Sequence, residues 1–173
     1  MKELRNTTLA YLAGFIDGEG YIGIRKGKRK GCVNLVYWCE MRAVNTRIAP
    51  LELLRATFDG MIYLRRGRKH NWKDQWHWVA PLSTIQTILT ALLPYLIIKK
   101  EDAELLLRFY RDRTLTQDRS LPTPPEEVAL REAFYQESRR LKDRCGGQRD
   151  DQGNPVGYQS ARNRAVHDWT QVS

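Results

Sequence analysis

Two carboxylates, Asp17 and Glu19, stand between glycines at the end of an apolar, small-residue stretch over residues 9–20. A helix over this stretch would align its small residues, which recur every four positions, on one stripe formed by Ala10, Gly14 and Gly18. Such a stripe lets a second backbone approach closely. The two acids then fall at the C-terminal end of the helix, where the macrodipole disfavours anions. That placement favours a bound cation, although an acidic turn that ends the helix accounts equally well for the spacing.

The motif over residues 12–20, Leu-Ala-Gly-Phe-Ile-Asp-Gly-Glu-Gly, resembles the signature of the LAGLIDADG homing endonucleases. In that family two such helices pack side by side, and the second acid, here Glu19, binds metal at the scissile phosphates. The resemblance also assigns the backbone carbonyl of Gly18 as a metal ligand. All-oxygen ligands suit Mg²⁺ better than zinc, so Mg²⁺ is the expected cofactor. The first acid, Asp17, frames the helix junction in relatives, and a capping or structural role is equally open.

The motif occurs once in the chain, and this sets the expected assembly. Cutting both strands of a duplex with paired sites requires two copies of Glu19, so the resemblance implies the single-motif, homodimeric type. The interface would be isologous about a two-fold axis and would contain Ala10, Gly14, Asp17 and Gly18. An intrachain helix crossing is the alternative, but the chain offers no obvious small-residue partner helix for it.

A basic group near the scissile phosphate stabilises its charge or orients water. The run Pro-Tyr-Leu-Ile-Ile-Lys-Lys over residues 94–100 resembles the segment before a later helix of the family, and the catalytic lysine falls on Lys99. Without the family, a lysine pair at a helix start indicates a solvated face. The family also places a polar residue near the end of the second strand, where Arg42, Ala43 and Asn45 compete. We include Asn45 in the catalytic set, with Arg47 as a second basic candidate.

The composition favours a polyanionic partner. Among 173 residues there are 29 Lys and Arg against 20 Asp and Glu, a formal net charge of +9. The three cysteines form no CxxC pair, which fits a reducing compartment. The N-terminus has no signal-peptide pattern, and no apolar run reaches the about 18 residues of a membrane span. We therefore expect an intracellular protein of the cytoplasm, nucleoid or organelle matrix, without a membrane partner.

Hydrophobic periodicity and breaker residues predict the element order. Helices are expected over the motif, from residue 45 to the Asp-Gly pair at 59–60, and over about 82–93, 99–113 and 124–144; strands are expected over 21–30, 33–42, 61–66 and 72–80. This αββαββαα order with a further C-terminal helix defines an α+β domain, and the family implies a curved antiparallel sheet on helices. We expect one endonuclease domain over residues 1–145 and a polar, flexible tail over 146–173.

One face of the predicted sheet is polar and basic, which suits the major groove, where Arg reads guanine and Gln or Asn reads adenine. The candidates for DNA contacts are Arg25, Arg29, Asn34, Trp38, Glu40, Arg42, Arg65, Arg68, Lys73, Gln75 and His77. A carboxylate is costly against phosphate, but Glu40 can accept a hydrogen bond from cytosine N4. The tryptophans of the fourth strand are expected to cover the helices rather than stack on bases: Trp72, Trp76 and Trp78.

Together, motif and charge predict a homodimeric, Mg²⁺-dependent, site-specific double-strand DNA endonuclease. As the resemblance implies, it would cut a long pseudo-palindromic site across the minor groove and leave 3′ overhangs. Two other functions on the same scaffold stay open: a maturase that binds intron RNA, and a DNA-binding regulator that does not cut. The presence of Glu19 favours the nuclease.

Overall fold

The computed structural model describes residues 6–28, 35–67, 72–113 and 123–145, the side chains of residues 143–145 excepted. Its helices and strands are α1 Asn6–Glu19, β1 Gly20–Lys28, β2 Leu35–Asn45, α2 Ala49–Phe58, β3 Met61–Arg65, β4 Gln75–Val79, α3 Ile85–Leu92, α4 Lys100–Asp112 and α5 Pro125–Cys145. A short 3-10 helix, Leu93–Tyr95, follows α3. The predicted α+β order is confirmed. None of the helices in these ranges is long and apolar enough to cross a membrane.

The chain divides into two compact units, Met1–Ser138 and Arg139–Ser173. The first unit holds the sheet and the helices through most of α5, and the described part of the second is the end of α5. The expected tail over residues 146–173 lies outside the described residues, and so do three of the expected DNA contacts, Arg29, Asn34 and Arg68. The domain boundary at residue 145 therefore stays a prediction.

The four strands form one antiparallel sheet in the order β1-β2-β4-β3. Because successive side chains of a strand point to opposite faces, the register assigns every residue to one of two faces. The inner face is buried and carries Ile22, Ile24, Tyr37, Cys39, Met41, Ala43 and Trp78. The outer face carries most of the predicted DNA contacts, as the period-two pattern indicated: Arg25, Trp38, Glu40, Arg42, Arg65, Gln75 and His77.

Helices cover the inner face with apolar residues at helical spacing. The buried set includes Leu12 and Ile16 of α1, Ile88 of α3, and Leu106 and Phe109 of α4. Each such side chain stabilises the fold by about 1.5–3 kcal/mol when it is fully buried. This packing fixes α1 against the sheet, so the orientation of the motif's two acids is set by the core.

The fourth strand shows where the prediction for the tryptophans was right and where it was wrong. Trp78 is fully buried, and Trp76 packs partly buried against the core. Trp72, however, is 57% exposed and precedes β4, which begins only at Gln75. Period-two alternation carried the predicted strand too far back, because residues before Gln75 have no partner in the described ladder of β3.

The end of β2 also differs from the prediction. The strand continues to Asn45, because residues 42–45 pair with residues 76–79 of β4. The expected helix start at Asn45 is therefore wrong, and α2 begins at Ala49. Instead, Asn45 Oδ1 accepts a hydrogen bond from the amide of Arg47 at 2.8 Å, which turns the chain after the strand.

Helix α5 is fastened to the edge strand β1 and to β2 by a cluster around Glu132. Its carboxylate accepts hydrogen bonds from Lys26 Nζ at 2.8 Å, Tyr37 Oη at 2.5 Å and Gln136 Nε2 at 2.7 Å. Nearby, Ser138 Oγ accepts from the backbone amide of Ile24 at 3.1 Å. Because β1 borders the sheet, the hydroxyl satisfies a backbone group that an edge strand leaves unpaired.

The Glu132 cluster predicts an acid-dependent contribution to stability. Hydrogen bonds from Lys26, Tyr37 and Gln136 lower the pKa of Glu132 from 4.5 to about 2. A carboxylate whose pKa is lowered by folding stabilises the protein fully at pH values above its ordinary pKa. This stabilisation is lost as the pH falls toward the pKa of the folded state. Glu132→Gln should therefore lower Tm at pH 7 by about 2–4 °C, the scale of one interaction in a domain of this size.

The difference between wild type and Glu132→Gln should close as the pH is lowered from about 5 to about 2. Thermal unfolding followed by circular dichroism across this range measures it. Glu104→Gln is the matched control, since it removes an exposed carboxylate of α4. A Tm difference that stays constant with pH would contradict the assignment of the stabilisation to the charged form.

Candidate active site and nucleic-acid interface

Helix α1 presents an exposed stripe of small residues that ends at an exposed carboxylate. Ala10, Gly14 and Gly18 are exposed, and no described residue lies within 4 Å of a Cβ added at Gly14 or at Gly18. Glu19, the last residue of α1, is also exposed, and its carboxylate makes no hydrogen bond or ion pair with the other described residues. The stripe and the acid are therefore both available to a second molecule.

Asp17 is only 8% exposed and points into its own chain. Its Oδ2 accepts hydrogen bonds from the amides of Ile97 at 2.7 Å and Ile98 at 3.2 Å, and its Oδ1 from the amide of Lys99 at 2.9 Å. Asp17 follows Ala13 by one helical turn and lies on the same buried side of α1. The predicted interface included Asp17, but its side chain does not lie on the exposed stripe. These hydrogen bonds favour the structural role, and the place of Asp17 in the interface stays a prediction.

Lys99 is brought to the end of α1 by the same contacts. Its ammonium donates to the backbone carbonyl of Asp17, directly before Gly18 and Glu19. The last carbonyls of a helix carry partial negative charge, and α1 has no basic residue in its own last turn. Lys99 supplies that cation from a distant part of the sequence. Two of the expected catalytic residues, Glu19 and Lys99, therefore stand at one helix end.

Asn45 approaches this end through the sheet register. Gly20, which follows Glu19, pairs with Ala43, and β2 continues for two residues beyond that pair. The antiparallel register thus carries Asn45 past Gly20 toward the end of α1. Its side-chain oxygen is engaged by the amide of Arg47, whose own side chain is exposed. Asn45 and Arg47 keep their catalytic roles as predictions.

Asp17→Ala should destabilise the protein by about 1–3 kcal/mol, because three backbone amides lose their acceptor. Urea unfolding of the variant measures the change in the free energy of unfolding. Glu104→Ala, which truncates an exposed carboxylate of α4, should change it by less than about 0.5 kcal/mol. If Asp17→Ala unfolds at the same urea concentration as the wild type, the three hydrogen bonds do not stabilise the contact between α1 and the segment that leads into α4.

The outer face of the sheet carries an ordered group of charges around Arg25. Its Nε donates to Glu40 Oε2 at 2.5 Å, across the β1–β2 pair. This hydrogen bond, with burial opposing it, raises the pKa of Arg25. Glu40 therefore already has a partner in its own chain, and its expected contact with cytosine stays a prediction.

Tyr21 is an outer-face residue that the sequence reasoning missed. Its ring lies 4.9 Å from Arg25 Cζ and 5.0 Å from Arg42 Cζ, measured to the ring centroid. The signal that could have found it is the same alternation that placed Gly23 and Arg25 on this face. Two arginines of the predicted contact set, Arg25 and Arg42, therefore lie against one aromatic ring.

His77 lies on the predicted face but is covered. Its side chain stacks on Tyr63 with ring centroids 5.1 Å apart and an interplanar angle of 11°, and the residue is 6% exposed. Neither ring nitrogen has a hydrogen-bond partner among the described residues. Burial, with Arg65 and Arg42 adding repulsion, lowers the pKa of His77. The expected direct contact of His77 with a base stays a prediction.

A concavity of about 550 Å³ opens at the end of the sheet where β3 ends and β4 begins. Its lining includes three cations and an exposed indole: Thr46, Arg65, Arg66, Gly67, Trp72, Lys73 and Gln75. No ion pair neutralises Arg65, Arg66 or Lys73 within the described ranges, so the concavity is suited to anionic groups. It gathers three of the predicted DNA contacts, Arg65, Lys73 and Gln75.

The element order, the sheet order and the motif helix together define the LAGLIDADG homing-endonuclease fold. The chain matches the homing endonuclease I-CvuI, solved in complex with the I-CreI target, with a TM-score of 0.63 and 21% identity over 79% of this chain and 83% of that chain. It matches the archaeal intron-encoded homing endonuclease I-Vdi141I, complexed with DNA, with a TM-score of 0.60 and 14% identity over 96% and 98% of the two chains.

A longer protein of the same fold also matches. The meganuclease I-SmaMI, bound to uncleavable DNA, gives a TM-score of 0.59 at 18% identity over 81% of this chain and 47% of that chain. No family model and no curated protein matches the sequence. At these identities the comparison establishes the fold, and the residues of the site must support the function.

Proposed function

We propose that this chain is a homodimeric, Mg²⁺-dependent, site-specific double-strand DNA endonuclease. The proposal rests on the arrangement of side chains at the C-terminal end of α1. There, Glu19 is exposed, while Asp17 and Lys99 are fixed beside it by hydrogen bonds. A carboxylate at the negative end of a helix is unfavourable unless a cation joins it. This arrangement suits metal-assisted hydrolysis of a phosphodiester.

A second copy of the chain completes the proposed site. Among the described residues of one chain, no three His, Cys, Asp or Glu side chains lie close enough together to hold a metal ion. Two α1 helices packed through Ala10, Gly14 and Gly18 would bring two Glu19 carboxylates together on a two-fold axis. The open stripe supports this packing, because nothing in the described chain occupies it.

The donors suit Mg²⁺, since the Glu19 carboxylate and the Gly18 carbonyl are hard oxygen ligands. Mg²⁺ would lower the pKa of an attacking water and neutralise charge on the phosphate and the leaving 3′ oxygen. The Lys99 ammonium, held at the same helix end, stabilises negative charge that develops on the phosphate. Asn45 is the proposed polar group at the adjoining strand end, and Arg47 a second basic group.

The outer face of the sheet is the proposed DNA-reading surface. Arg25, Arg42, Arg65, Lys73 and Gln75 lie on it or line its concavity, and such donors read base edges or hold phosphates in the major groove. A two-fold dimer reads two half-sites, so the target is pseudo-palindromic and long. We propose that cleavage occurs across the minor groove between the half-sites and leaves 3′ overhangs. The fold neighbours I-CvuI and I-Vdi141I were solved as DNA complexes, which supports a DNA partner.

The experiment is cleavage of a randomised duplex library by the purified protein with Mg²⁺, followed by sequencing of the cut ends. We expect double-strand breaks with 3′ overhangs at one pseudo-palindromic site, and none in EDTA. If the coding sequence lies in an intron, the flanking exon junction is the direct substrate.

The alternative functions give different results. Selection of a duplex sequence without cutting, with Mg²⁺ present, would contradict the nuclease and identify a regulator. Selection of structured RNA with no affinity for duplex DNA would identify a maturase.

A further inference from the structure

Tyr21 occupies an unusual position on the outer face of β1. Its ring lies along the strand over Gly23, so a Cβ added at Gly23 would stand 2.6 Å from the tyrosine oxygen and 2.8 Å from the ring carbon that carries it. Real Cβ atoms do not approach other atoms this closely, so any larger residue at position 23 displaces the ring. Gly23 is therefore the residue that allows Tyr21 to lie in this orientation.

Two guanidinium groups from neighbouring strands lie against the ring of Tyr21. Arg42 is the direct cross-strand partner of Tyr21, and Arg25 lies four residues further along β1. Both Cζ atoms stand within about 5 Å of the ring centroid, where a cation is attracted to the ring. The two guanidinium groups are therefore no more than about 10 Å apart, a distance that spans about three base pairs of B-DNA.

Glu40 sets the orientation of one of the two groups. It binds Arg25 through Nε, which leaves the two terminal nitrogens of that guanidinium for an external acceptor pair. In the major groove that pair is O6 and N7 of guanine. A free arginine loses side-chain entropy when it is ordered on DNA, and a side chain already held by Tyr21 and Glu40 loses less.

We propose that Tyr21 is a positioning residue for sequence recognition: it holds Arg25 and Arg42 as a pre-oriented pair of guanine readers, and Gly23 makes room for it. This rests on the proposed DNA recognition but not on cleavage. Tyr21 itself contacts no base. Its loss leaves both positive charges in place and removes the ring that orients them.

The test is selection of bound sequences from a randomised duplex library in EDTA, so that no cleavage occurs. Wild type should select a site containing guanine at one or two positions per half-site. Tyr21→Leu should lose about 5- to 100-fold of the discrimination at those positions, as expected when a bidentate arginine contact is lost. Its affinity for non-cognate duplex should stay within about threefold, with an unchanged salt slope, because both phosphate-attracting cations remain.

Two further variants separate positioning from a structural role. Tyr21→Phe keeps the ring and should retain the wild-type profile. Gly23→Ala should reproduce the profile of Tyr21→Leu, and should add nothing to it in the double variant, because its effect acts through the ring. Tyr63→Leu is the matched control, since it removes an outer-face tyrosine that stacks on His77, and it should leave the guanine positions of Arg25 and Arg42 unchanged.

An unchanged selection profile for Tyr21→Leu overturns the inference, and so does an equal loss of affinity on all sequences. Failure of the wild type to select any sequence overturns the proposed function instead. The two failures are therefore distinguishable in one experiment.

Discussion

Glu19→Gln is expected to lower double-strand cleavage at least about a thousandfold, since a metal ligand supplies several kcal/mol of transition-state stabilisation and each 1.36 kcal/mol is tenfold in rate. Glutamine keeps the size of the side chain and loses its charge. Because the Glu19 carboxylate is exposed and makes no hydrogen bond or ion pair with the other described residues, the fold should not change. Single-turnover cleavage of the selected site with Mg²⁺ measures the effect.

Binding separates this expectation from a general loss of function. In EDTA, Glu19→Gln should bind the selected duplex with an affinity within about threefold of the wild type, because the outer face of the sheet is untouched. Glu52→Gln, at an exposed position in the first turn of α2, is the control for removing a carboxylate elsewhere. Cleavage by Glu19→Gln at near wild-type rates would refute the proposed mechanism.

Gly14→Leu is expected to convert the proposed dimer to a monomer. Among the described residues, nothing lies within 4 Å of a Cβ added at Gly14, so the first atom of the leucine side chain meets no clash in the monomer. Replacing a mid-helix glycine should instead favour the helix by roughly 0.5–1 kcal/mol. In an isologous interface, however, the substitution inserts two leucines where two backbones must meet, one from each chain.

Analytical ultracentrifugation of Gly14→Leu should show the mass of one chain where the wild type shows two, and double-strand cleavage should be lost with the dimer. Gln86→Leu places the same side chain at an exposed position of α3 and should stay dimeric. A Gly14→Leu protein that sediments as the wild type would remove α1 from the interface.

The sequence predicted those parts of the site that depend on local spacing. The motif helix, the polar face of the sheet and the position of Glu19 follow from periods of 3.6 and 2, which few long-range contacts override here. The entry of α4 at Lys100, just after the predicted catalytic lysine, was also within one residue of the expected start.

Long-range contacts decided what the sequence left open or missed. The role of Asp17 depends on amides about eighty residues away, and no local pattern encodes that contact. The extension of β2 to Asn45 depends on its pairing with β4. His77 was expected to face DNA directly because alternation gives the face of a side chain but not what lies over it, and Tyr63 covers it.

The hydroxyl of Ser138 affects whether copies of the protein aggregate through the edge of the sheet. By occupying the amide of Ile24, it closes this border of the sheet to strand addition from a neighbouring molecule. A basic protein accumulates at high local density along a polyanion. There, exposed edge strands of neighbouring copies would pair and aggregate. With this border closed, crowded copies are kept from polymerising edge to edge there, while the proposed pairing through the small-residue stripe of the first helix is unaffected.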